Sequence, residues 1–410
     1  MSRTLVRSAP QVSPHGTRLD AVRPRAALLA LLLASTLTVM AGAILSPVVD
    51  LMRRDLEVSE TAAGLALTAH GLSLAALGPL IGRVIDRRGV RGPLAAGLAL
   101  YGATGAAGLL TTSYPALVAS RLVFGVGVAV VFVGTTVALF ELYAGTDRDR
   151  AMGWRSSAIS IGGLAWPLLG GALGKVSWHL PFAIHLLALP LAVIVLATLG
   201  PRSPERAPRS SPSTPPPSGT LRAALTGDRV LVGLYGVQLL AAILLYAILV
   251  FLPLRLGELG VRDPFDIALV TGVLSACMTV VGFGYSRARR KLRYERLLQV
   301  ALAMWSAGLL VIGVIEQTLA LALGAGLFGV GMGVAVPLLT TAVAERAPPE
   351  LRGRATSLLA TATFAGQFAA PLLLGPIAAA STTATAFAMS AGAAGAALLV
   401  LAVAGRSRTP

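Results

Sequence analysis

The sequence predicts an all-α polytopic membrane protein, with twelve transmembrane helices in two pseudo-symmetric six-helix bundles. Three observations predict it. The chain is 55% hydrophobic and only 13% charged, about half the charged share of a soluble domain. It contains a series of apolar stretches long enough to cross a bilayer, without the short alternating segments of a barrel. Its two halves also repeat a sequence pattern. The spans are expected to be helices, because a helix forms all its backbone hydrogen bonds within itself in lipid.

Twelve apolar stretches of roughly 20 residues follow one another along the chain. They are Ala26–Val49, Thr61–Ile81, Pro93–Leu110, Ala116–Val137, Ala151–Leu173, Leu180–Leu199, Val230–Leu252, Ile267–Phe283, Leu297–Ile315, Leu319–Ala342, Ala355–Ile377 and Thr383–Ala404. The first stretch is too long for the apolar region of a cleaved signal peptide, so we expect it to remain as a span.

Polar segments divide these spans into two halves of nearly equal size. Residues 1–25 are polar and contain five arginines, which predicts a cytoplasmic tail. Residues 26–200 form the first six-helix half, residues 201–228 a linker rich in Pro and Ser, and residues 229–405 the second half. Such a linker is extended and has no packed core.

The distribution of Lys and Arg predicts the orientation in the membrane. With a cytoplasmic N-terminus, the cytoplasmic segments hold 28 of the 34 basic residues and the outer loops hold 5. Arg121 is then the one basic residue placed inside a span. Cytoplasmic loops are enriched in Lys and Arg, so we predict a multi-pass protein of the plasma (inner) membrane with both termini cytoplasmic. The net charge of +16 then reflects loops beside anionic lipid, and no nucleic-acid partner is expected.

Several kinds of chemistry have no support in the sequence. The single cysteine, Cys277, excludes an intrachain disulfide and a Cys-rich metal site. The Gly125-Val-Gly127 sequence lies inside an apolar span, and no Gly-Lys-Ser/Thr loop occurs in the chain, so no nucleotide site is predicted. We therefore expect neither an enzyme nor a cofactor or metal.

The second half repeats the first. The Phe-Gly-Val-Gly sequence of 124–127 recurs at 328–331, 204 residues later, and Arg150-Ala151 and Pro167 recur at the same offset. Parallel six-helix repeats joined by a linker are a transporter architecture, with the substrate site between the repeats near the bilayer midplane.

Three motifs resemble those of the major facilitator superfamily. The segment Gly82-Arg-Val-Ile-Asp86-Arg87-Arg88-Gly89-Val-Arg91 is similar to its signature loop, with Val90 in place of one basic residue. The Arg121-x3-Gly125-x-Gly127 pattern is similar to its span-4 motif. The segment ending in Pro167-Leu-Leu-Gly170-Gly171 is similar to the span-5 motif of its antiporters, with Trp166 replacing a glycine. The resemblance implies the fold of that family and transport by alternating access.

The resemblance also implies residues that control the change of conformation. Asp86 would lie near the N-terminal end of span 11, where a helix favours negative charge, and Arg87 or Arg88 would pair with Glu141 in a latch between conformations. The alternative is an ordinary basic cytoplasmic loop. The predicted gating residues are Gly82, Asp86, Arg87, Arg88, Gly89, Arg91, Glu141, Pro167, Gly170 and Gly171.

A second group of polar residues at membrane depth is predicted to serve proton coupling or substrate binding. Arg121 would act on protons, as the resemblance implies, or on an anionic substrate, because a cation inside a span is costly and usually functional. His70 could carry a proton or be a packing residue. Asp50 is expected near the outer mouth of the cavity. The amides and hydroxyl of Gln238, Tyr246 and Gln367 suit substrate contacts or interhelix contacts.

These patterns favour proton-coupled efflux of small, hydrophobic molecules by a secondary transporter. One alternative is uptake or uniport of a small anion or metabolite, in which Arg121 binds the substrate. Another is a membrane sensor or scaffold that transports nothing. The expected partners are a small-molecule substrate, H+ and the lipid bilayer, and we expect a monomer.

Overall fold

The computed structural model describes residues 18–200, 228–347 and 351–406, and this described part contains helices and no strand. The first half comprises α1 (Arg18–Ala43), α2 (Val49–Asp55), α3 (Glu60–Arg88), α4 (Arg91–Gly105), α5 (Tyr114–Leu142), α6 (Gly145–Gly174) and α7 (Ala188–Thr198). The second half comprises α8 (Arg229–Glu258), α9 (Pro264–Lys291), α10 (Tyr294–Val314), α11 (Thr318–Arg346), α12 (Arg352–Ala380) and α13 (Thr383–Arg406). The 3-10 segments Ser46–Val48, Ala106–Leu109 and Leu180–Leu187 lead into α2, extend α4 and precede α7.

The all-helical membrane architecture predicted from the sequence is confirmed, with differences at particular elements. Eleven helical segments of the described residues are long and apolar enough to cross a membrane. The third predicted span is shorter, since α4 tightens into a 3-10 turn after Gly105. The first helix begins at Arg18, within the predicted tail, because helical backbone bonds can continue beyond the apolar segment. The rest of that tail and residues 201–227 of the linker lie outside the described residues.

The same helix packing occurs in each half. In the first half, α3 and α4 pack against α5, α4 packs against α7, and α1 packs against α6. In the second half, α9 and α10 pack against α11, α10 packs against α13, and α8 packs against α12. The halves meet through α3 with α12 and through α6 with α9. The predicted internal repeat is therefore a repeat of helix contacts.

The repeated Phe-Gly-Val-Gly sequence lies at the centre of each half. A Cβ on Gly127 would lie 2.7 Å from the backbone nitrogen of Tyr101, and one on Gly331 would lie 2.5 Å from Cδ1 of Trp305. Tyr101 and Trp305 are themselves 204 residues apart and pack their rings against Phe124 and Phe328, respectively. Small residues allow such close helix approach in lipid, which explains why glycine occupies both positions.

The bundle has two chemically different ends. One end, called here the Arg-rich end, carries the turns after α3, α5 and α9, with arginines such as Arg87, Arg148 and Arg289. The opposite end carries the turns after α2, α6 and α8. The helices from α3 to α13 run between these two ends, α4 and α7 together with their 3-10 segments, so each interhelix contact can be assigned a depth.

Candidate functional site

Close contacts join the two halves at the opposite end. The hydroxyl of Ser46 donates to the backbone oxygen of Leu249 on α8 at 2.5 Å. Lys175, just after α6, pairs with Asp263, just before α9, at 3.0 Å. This hydrogen bond from Lys175 lowers the pKa of the Asp263 carboxyl below its ordinary value, so the pair is charged at neutral pH.

Asp50, one of the predicted site residues, belongs to this closed end. Its side chain is buried, and its carboxylate pairs with Arg54 at 2.6 Å and Arg53 at 3.1 Å. A Cβ added to Gly257 at the end of α8 would lie 2.5 Å from Oδ2 of Asp50. The carboxylate is thus pressed against the second half and held by cations of its own helix.

The contact between α3 and α12 closes at one end and opens at the other. Near the opposite end, Gly64 packs against Pro371 and Val250, and Gly71 packs against Gln367 and the backbone oxygen of Phe364. Residues 64, 71, 78 and 82 share one helical face, because seven and four residues are close to whole turns. A Cβ on residue 78 or 82 meets nothing within 4 Å. The two helices therefore separate towards the Arg-rich end.

The contact between α6 and α9 is also closest near the opposite end. A Cβ on Gly171 would lie 2.6 Å from the backbone oxygen of Pro264, in the other half, whereas Gly170 packs against the backbone oxygen of Ile44 in its own half. The buried Pro167 lies one turn earlier inside α6, where it removes one backbone hydrogen bond. A Cβ on Gly163 meets nothing within 4 Å. The structure thus brings the predicted span-5 residues to the closed end of a groove between the halves.

His70 and Gln367 meet where α3 and α12 are still in contact. The amide nitrogen of Gln367 donates to Nε2 of His70 at 2.7 Å, and both side chains are buried. Nδ1 of His70 is buried without a hydrogen-bond partner. Two residues singled out separately in the sequence therefore form one polar contact between the halves.

Arg121 lies behind this contact, inside the first half. It is fully buried, and its Nη2 donates to the backbone oxygens of Gly105 at 2.6 Å and Thr104 at 3.4 Å. Its guanidinium lies 4.6 Å from the ring centroid of Phe124 and 4.9 Å from that of Phe182. Nε and Nη1 are buried without a partner. Carbonyl dipoles and aromatic faces stabilise this cation, and no carboxylate of the described residues pairs with it.

Gln238 and Tyr246 lie on α8 and have different neighbours. Nε2 of Gln238 donates to the hydroxyl of Thr363 on α12 at 2.8 Å, within the second half. The half-buried Tyr246 directs its hydroxyl at Gly42 of α1, across the interface between the halves. Of these two residues, Tyr246 is the one placed between the halves.

The signature-loop residues surround the turn between α3 and α4 at the Arg-rich end. Gly89 ends α3 with φ of 76°, a left-handed conformation that glycine adopts without strain. Arg91 donates through Nη2 to the backbone oxygen of Leu196 at 2.6 Å, near the end of α7. Arg88 and Glu141 line one pocket of about 250 Å³. Within the described chain, no ion pair of 4.0 Å or less joins them.

The remaining gating candidates are Gly82, Asp86 and Arg87, on the last turns of α3. Asp86 and Arg87 are exposed. At the equivalent turn of the second half, the hydroxyl of Tyr294 donates to Glu345 at 2.9 Å, and Arg289 lies 3.6 Å from the Tyr294 ring centroid.

The expectation that Arg121 is the one basic residue inside a span is wrong. Arg155 lies within α6 and Arg255 within α8, and both are buried. Arg255 pairs with Glu258 and Glu316, whereas Arg155 lies 5.6 Å from the ring centroid of Phe132. The 28 basic residues assigned above to cytoplasmic segments include Arg155. Its sequence neighbours already indicate that it differs from an ordinary loop arginine. No acidic residue stands three or four positions from Arg155 on either side, so α6 offers it no ion pair of its own.

Comparison with known proteins identifies relatives along the chain. A family model described as Major Facilitator Superfamily matches residues 31–371 and 291–410. The chain is 29% identical over 164 residues to Multidrug resistance protein 1 of Bacillus subtilis (strain 168), which covers 40% of this chain and 42% of that relative. It is 24% identical over 154 residues to Quinolone resistance protein NorA of Staphylococcus aureus (strain Mu50 / ATCC 700699), covering 37% and 40%. The matched stretch thus spans about two fifths of these relatives.

Solved structures share the fold at low sequence identity. A variant of the nucleoside transporter NupG superposes with a TM-score of 0.80 at 14% identity, covering 92% of this chain and 99% of that one. A D-xylose-proton symporter superposes with a TM-score of 0.71 at 16% identity, covering 93% and 97%. These likenesses confirm the two-half fold predicted from the sequence.

Proposed function

Since the chain belongs to the Major Facilitator Superfamily, we propose that it is a secondary transporter that exports small molecules in exchange for protons. The observation that carries the proposal is the groove between the halves, which is closed by the α6–α9 and α3–α12 contacts at one end and opens towards the Arg-rich end. A solute site that opens to one side at a time is the requirement for alternating access.

The Arg-rich end is assigned to the cytoplasm. Lys and Arg are enriched in cytoplasmic loops, and at this end the turn after α3 carries Arg87, Arg88 and Arg91 and the turn after α9 carries Arg289, Arg290 and Lys291. With this orientation, the structure corresponds to an inward-open state that receives its substrate from the cytoplasm. A highly active alkaline phosphatase fused after Pro410 would contradict the assignment, because that enzyme folds outside the cytoplasm.

Proton coupling is assigned to His70 through its contact with Gln367. Nε2 of His70 accepts the hydrogen bond, so a proton that binds this nitrogen removes the acceptor, and the amide must turn to present its oxygen. Protonation is thereby linked to the contact between the halves. A cationic His70 would also be repelled by Arg121, because both side chains lie against the ring of Phe124.

In the inward-open state, the pairing of Glu141 with Arg87 or Arg88 that the family resemblance implies would be broken. The absence of an ion pair between Arg88 and Glu141 in the described chain agrees with that state. The Asp86→Asn variant is expected to weaken transport while retaining the fold. Unchanged transport in that variant would identify the segment as an ordinary basic loop.

One observation favours uptake or uniport of an anion as a second candidate: Nε and Nη1 of the buried Arg121 have no partner. Reconstituted proteoliposomes with an imposed pH gradient and a pH-sensitive dye separate the candidates. Substrate and protons moving in opposite directions support export, and movement in the same direction supports uptake. Absence of flux across a panel of solutes, with the fold intact, supports a sensor or scaffold.

A further inference from the structure

Arg155 is a buried cation whose hydrogen-bonding groups are unused. It is only 8% exposed, and its Nε and Nη2 atoms are buried without a hydrogen-bond partner. The other two buried arginines of the described chain each donate to at least one acceptor, Arg255 to carboxylates and Arg121 to backbone oxygens. A buried charge without a partner is costly, so the position requires an explanation beyond packing.

The unused atoms form one edge of the guanidinium. Nε and Nη2 direct their hydrogens to the same side, which is the geometry that holds an acceptor with two parallel bonds. Arg53 demonstrates this in the same chain, because its Nε and Nη2 both donate to Oδ1 of Asp50, at 3.2 and 3.1 Å. The corresponding edge of Arg155 thus fits the oxygens of an anion.

One aromatic ring adjoins this guanidinium, and a second ring, from the other half, packs against the first. Phe132 on α5 lies under Arg155, with 5.6 Å from the guanidinium carbon to the ring centroid. Its ring meets that of Phe364 on α12 edge to face, at 5.6 Å between centroids and 88° between planes. When the halves move apart, this ring pair must separate, and a flat aromatic group can replace the lost contact.

The three residues lie along the groove, between its closed end and its mouth. Each is 10 to 12 residues from the Arg-rich end of its helix, which corresponds to about 15–18 Å along the axis. The backbone oxygen of Phe364 on α12 lies against Gly71 on α3. Towards the Arg-rich end from this contact, the two helices separate. The basic residues at the groove mouth also concentrate anions there.

We propose that Arg155, Phe132 and Phe364 form the site for an aromatic anion, a flat ring system carrying a carboxylate or sulfonate. Arg155 binds the anionic group through its Nε/Nη2 edge after a turn of its long side chain towards the groove, and the two rings hold the aromatic body. The inference rests on the proposed transport function, because it names the class of substrate for the same groove.

The test compares two compounds that differ in charge and share a ring system, 2-naphthoate and 2-naphthamide. Their binding to the purified full-length protein in detergent is measured by calorimetry. Wild type is expected to bind naphthoate roughly tenfold more tightly or better, the effect of a hydrogen-bonded charge. Arg155→Gln should remove this preference and leave naphthamide binding unchanged, and Arg155→Lys should keep part of it, since an ammonium lacks the two-donor edge.

Arg148 supplies a matched control. It also lies on α6 and stacks on a phenylalanine of α5, with 5.2 Å from its guanidinium carbon to the ring centroid of Phe140, but it is exposed. Arg148→Gln should leave both affinities unchanged. Phe132→Leu should weaken both compounds alike, because it removes ring contact and leaves the cation in place. The melting temperature of each variant is measured alongside.

Equal binding of the two compounds by wild type, or no measurable binding of naphthoate, would overturn the site. So would a loss of affinity for both compounds in Arg155→Gln at an unchanged melting temperature. The proteoliposome flux assay is independent: naphthoate binding without any proton-linked flux supports the site and contradicts the proposed transport. Proton-linked export that shows no preference for anions would support the proposed transport and contradict the site.

Discussion

The amide nitrogen of Gln367 on α12 lies 2.7 Å from Nε2 of His70 on α3, so one polar contact joins the two halves within a buried interface. Around it, Gly71 allows the backbones of α3 and α12 to approach closely. A hydrogen bond inside apolar surroundings is sensitive to the charge of either partner. The consequences of this contact and of the neighbouring close contacts can be measured directly.

His70→Gln is expected to separate proton movement from solute exchange. The substituted amide can still bond to Gln367, but it cannot bind a proton at physiological pH, so substrate exchange should persist while proton movement falls to the level of empty liposomes. In the same vesicles, a pH-sensitive dye measures proton movement and a counterflow assay measures substrate exchange. Proton-linked transport at the wild-type rate in this variant would show that His70 is a packing residue.

Gln367→Leu is the complementary change at the same contact. It keeps the histidine and removes its partner, which should weaken the closed contact by about 1 kcal/mol and raise exposure of the α3–α12 interface. Spin-label distances between α3 and α12, recorded in a background with Cys277→Ser, measure that opening. An α3–α12 distance equal to that of the Gln367 parent would disprove a role for the bond in closure.

Two adjacent glycines of α6 should have different effects when changed to alanine. Gly171→Ala places a methyl group against the Pro264 backbone of the other half and should shift the protein away from the state closed at this end. Gly170→Ala places it against Ile44 within the same half and should lower stability, by roughly 1–3 kcal/mol. Thermal unfolding measures the loss of stability expected for Gly170→Ala. Spin-label distances between α6 and α9 measure the shift of state expected for Gly171→Ala.

Gly163→Ala is the matched control for both glycine variants, because a Cβ there meets no atom within 4 Å. It should leave stability and distances close to wild type. If Gly171→Ala left the α6–α9 distance distribution unchanged, the contact with Pro264 would not hold the halves together.

A disulfide between Thr61→Cys and Gly375→Cys should lock the closed end. A Cβ on Gly375 would lie 2.8 Å from Cβ of Thr61, and a small backbone shift reaches the spacing of about 3.8 Å found in disulfides. In a Cys277→Ser background, oxidation is expected to stop transport and reduction to restore it. Each single-cysteine variant should be insensitive to oxidant. Full activity of the cross-linked double variant would rule out opening at this end.

The Lys175–Asp263 pair should give the closed end an acid sensitivity. The hydrogen bond from Lys175 lowers the pKa of Asp263 in the closed state, so the pair contributes fully above the ordinary aspartate pKa of about 3.9. Its contribution is lost as pH falls through the lowered pKa. Spin-label distances across α6 and α9, recorded from pH 6 to pH 3, measure this loss.

Asp263→Asn is the control for this pH effect. Oδ1 of Asp263 accepts from the backbone nitrogen of Phe265 at 2.8 Å as the cap of α9, and an asparagine oxygen can keep that cap while losing the charge. The variant should therefore hold α9 intact and show less change of distance with pH. The same pH response in variant and wild type would assign the effect to other groups.

The sequence alone determined the membrane class, the helix content and the internal repeat. Hydropathy is a property of each segment, so span locations could be predicted without knowing their neighbours. The offset of 204 also carried physical meaning, because Tyr101 and Trp305 occupy equivalent positions beside the repeated glycines. The motifs around Asp86, Arg121 and Pro167 identified the family, which the family model then confirmed.

Only the tertiary structure decided which polar residues meet. His70 and Gln367 are 297 positions apart, and their contact depends on the tilt of α3 against α12. The burial of Arg155 likewise follows from the packing of α6 near Phe132, although it was counted with Arg148 and Arg150 among the cytoplasmic basic residues. Side chains at one depth in a bundle come from helices far apart in the chain, so their grouping depends on helix orientation, which local sequence patterns do not contain.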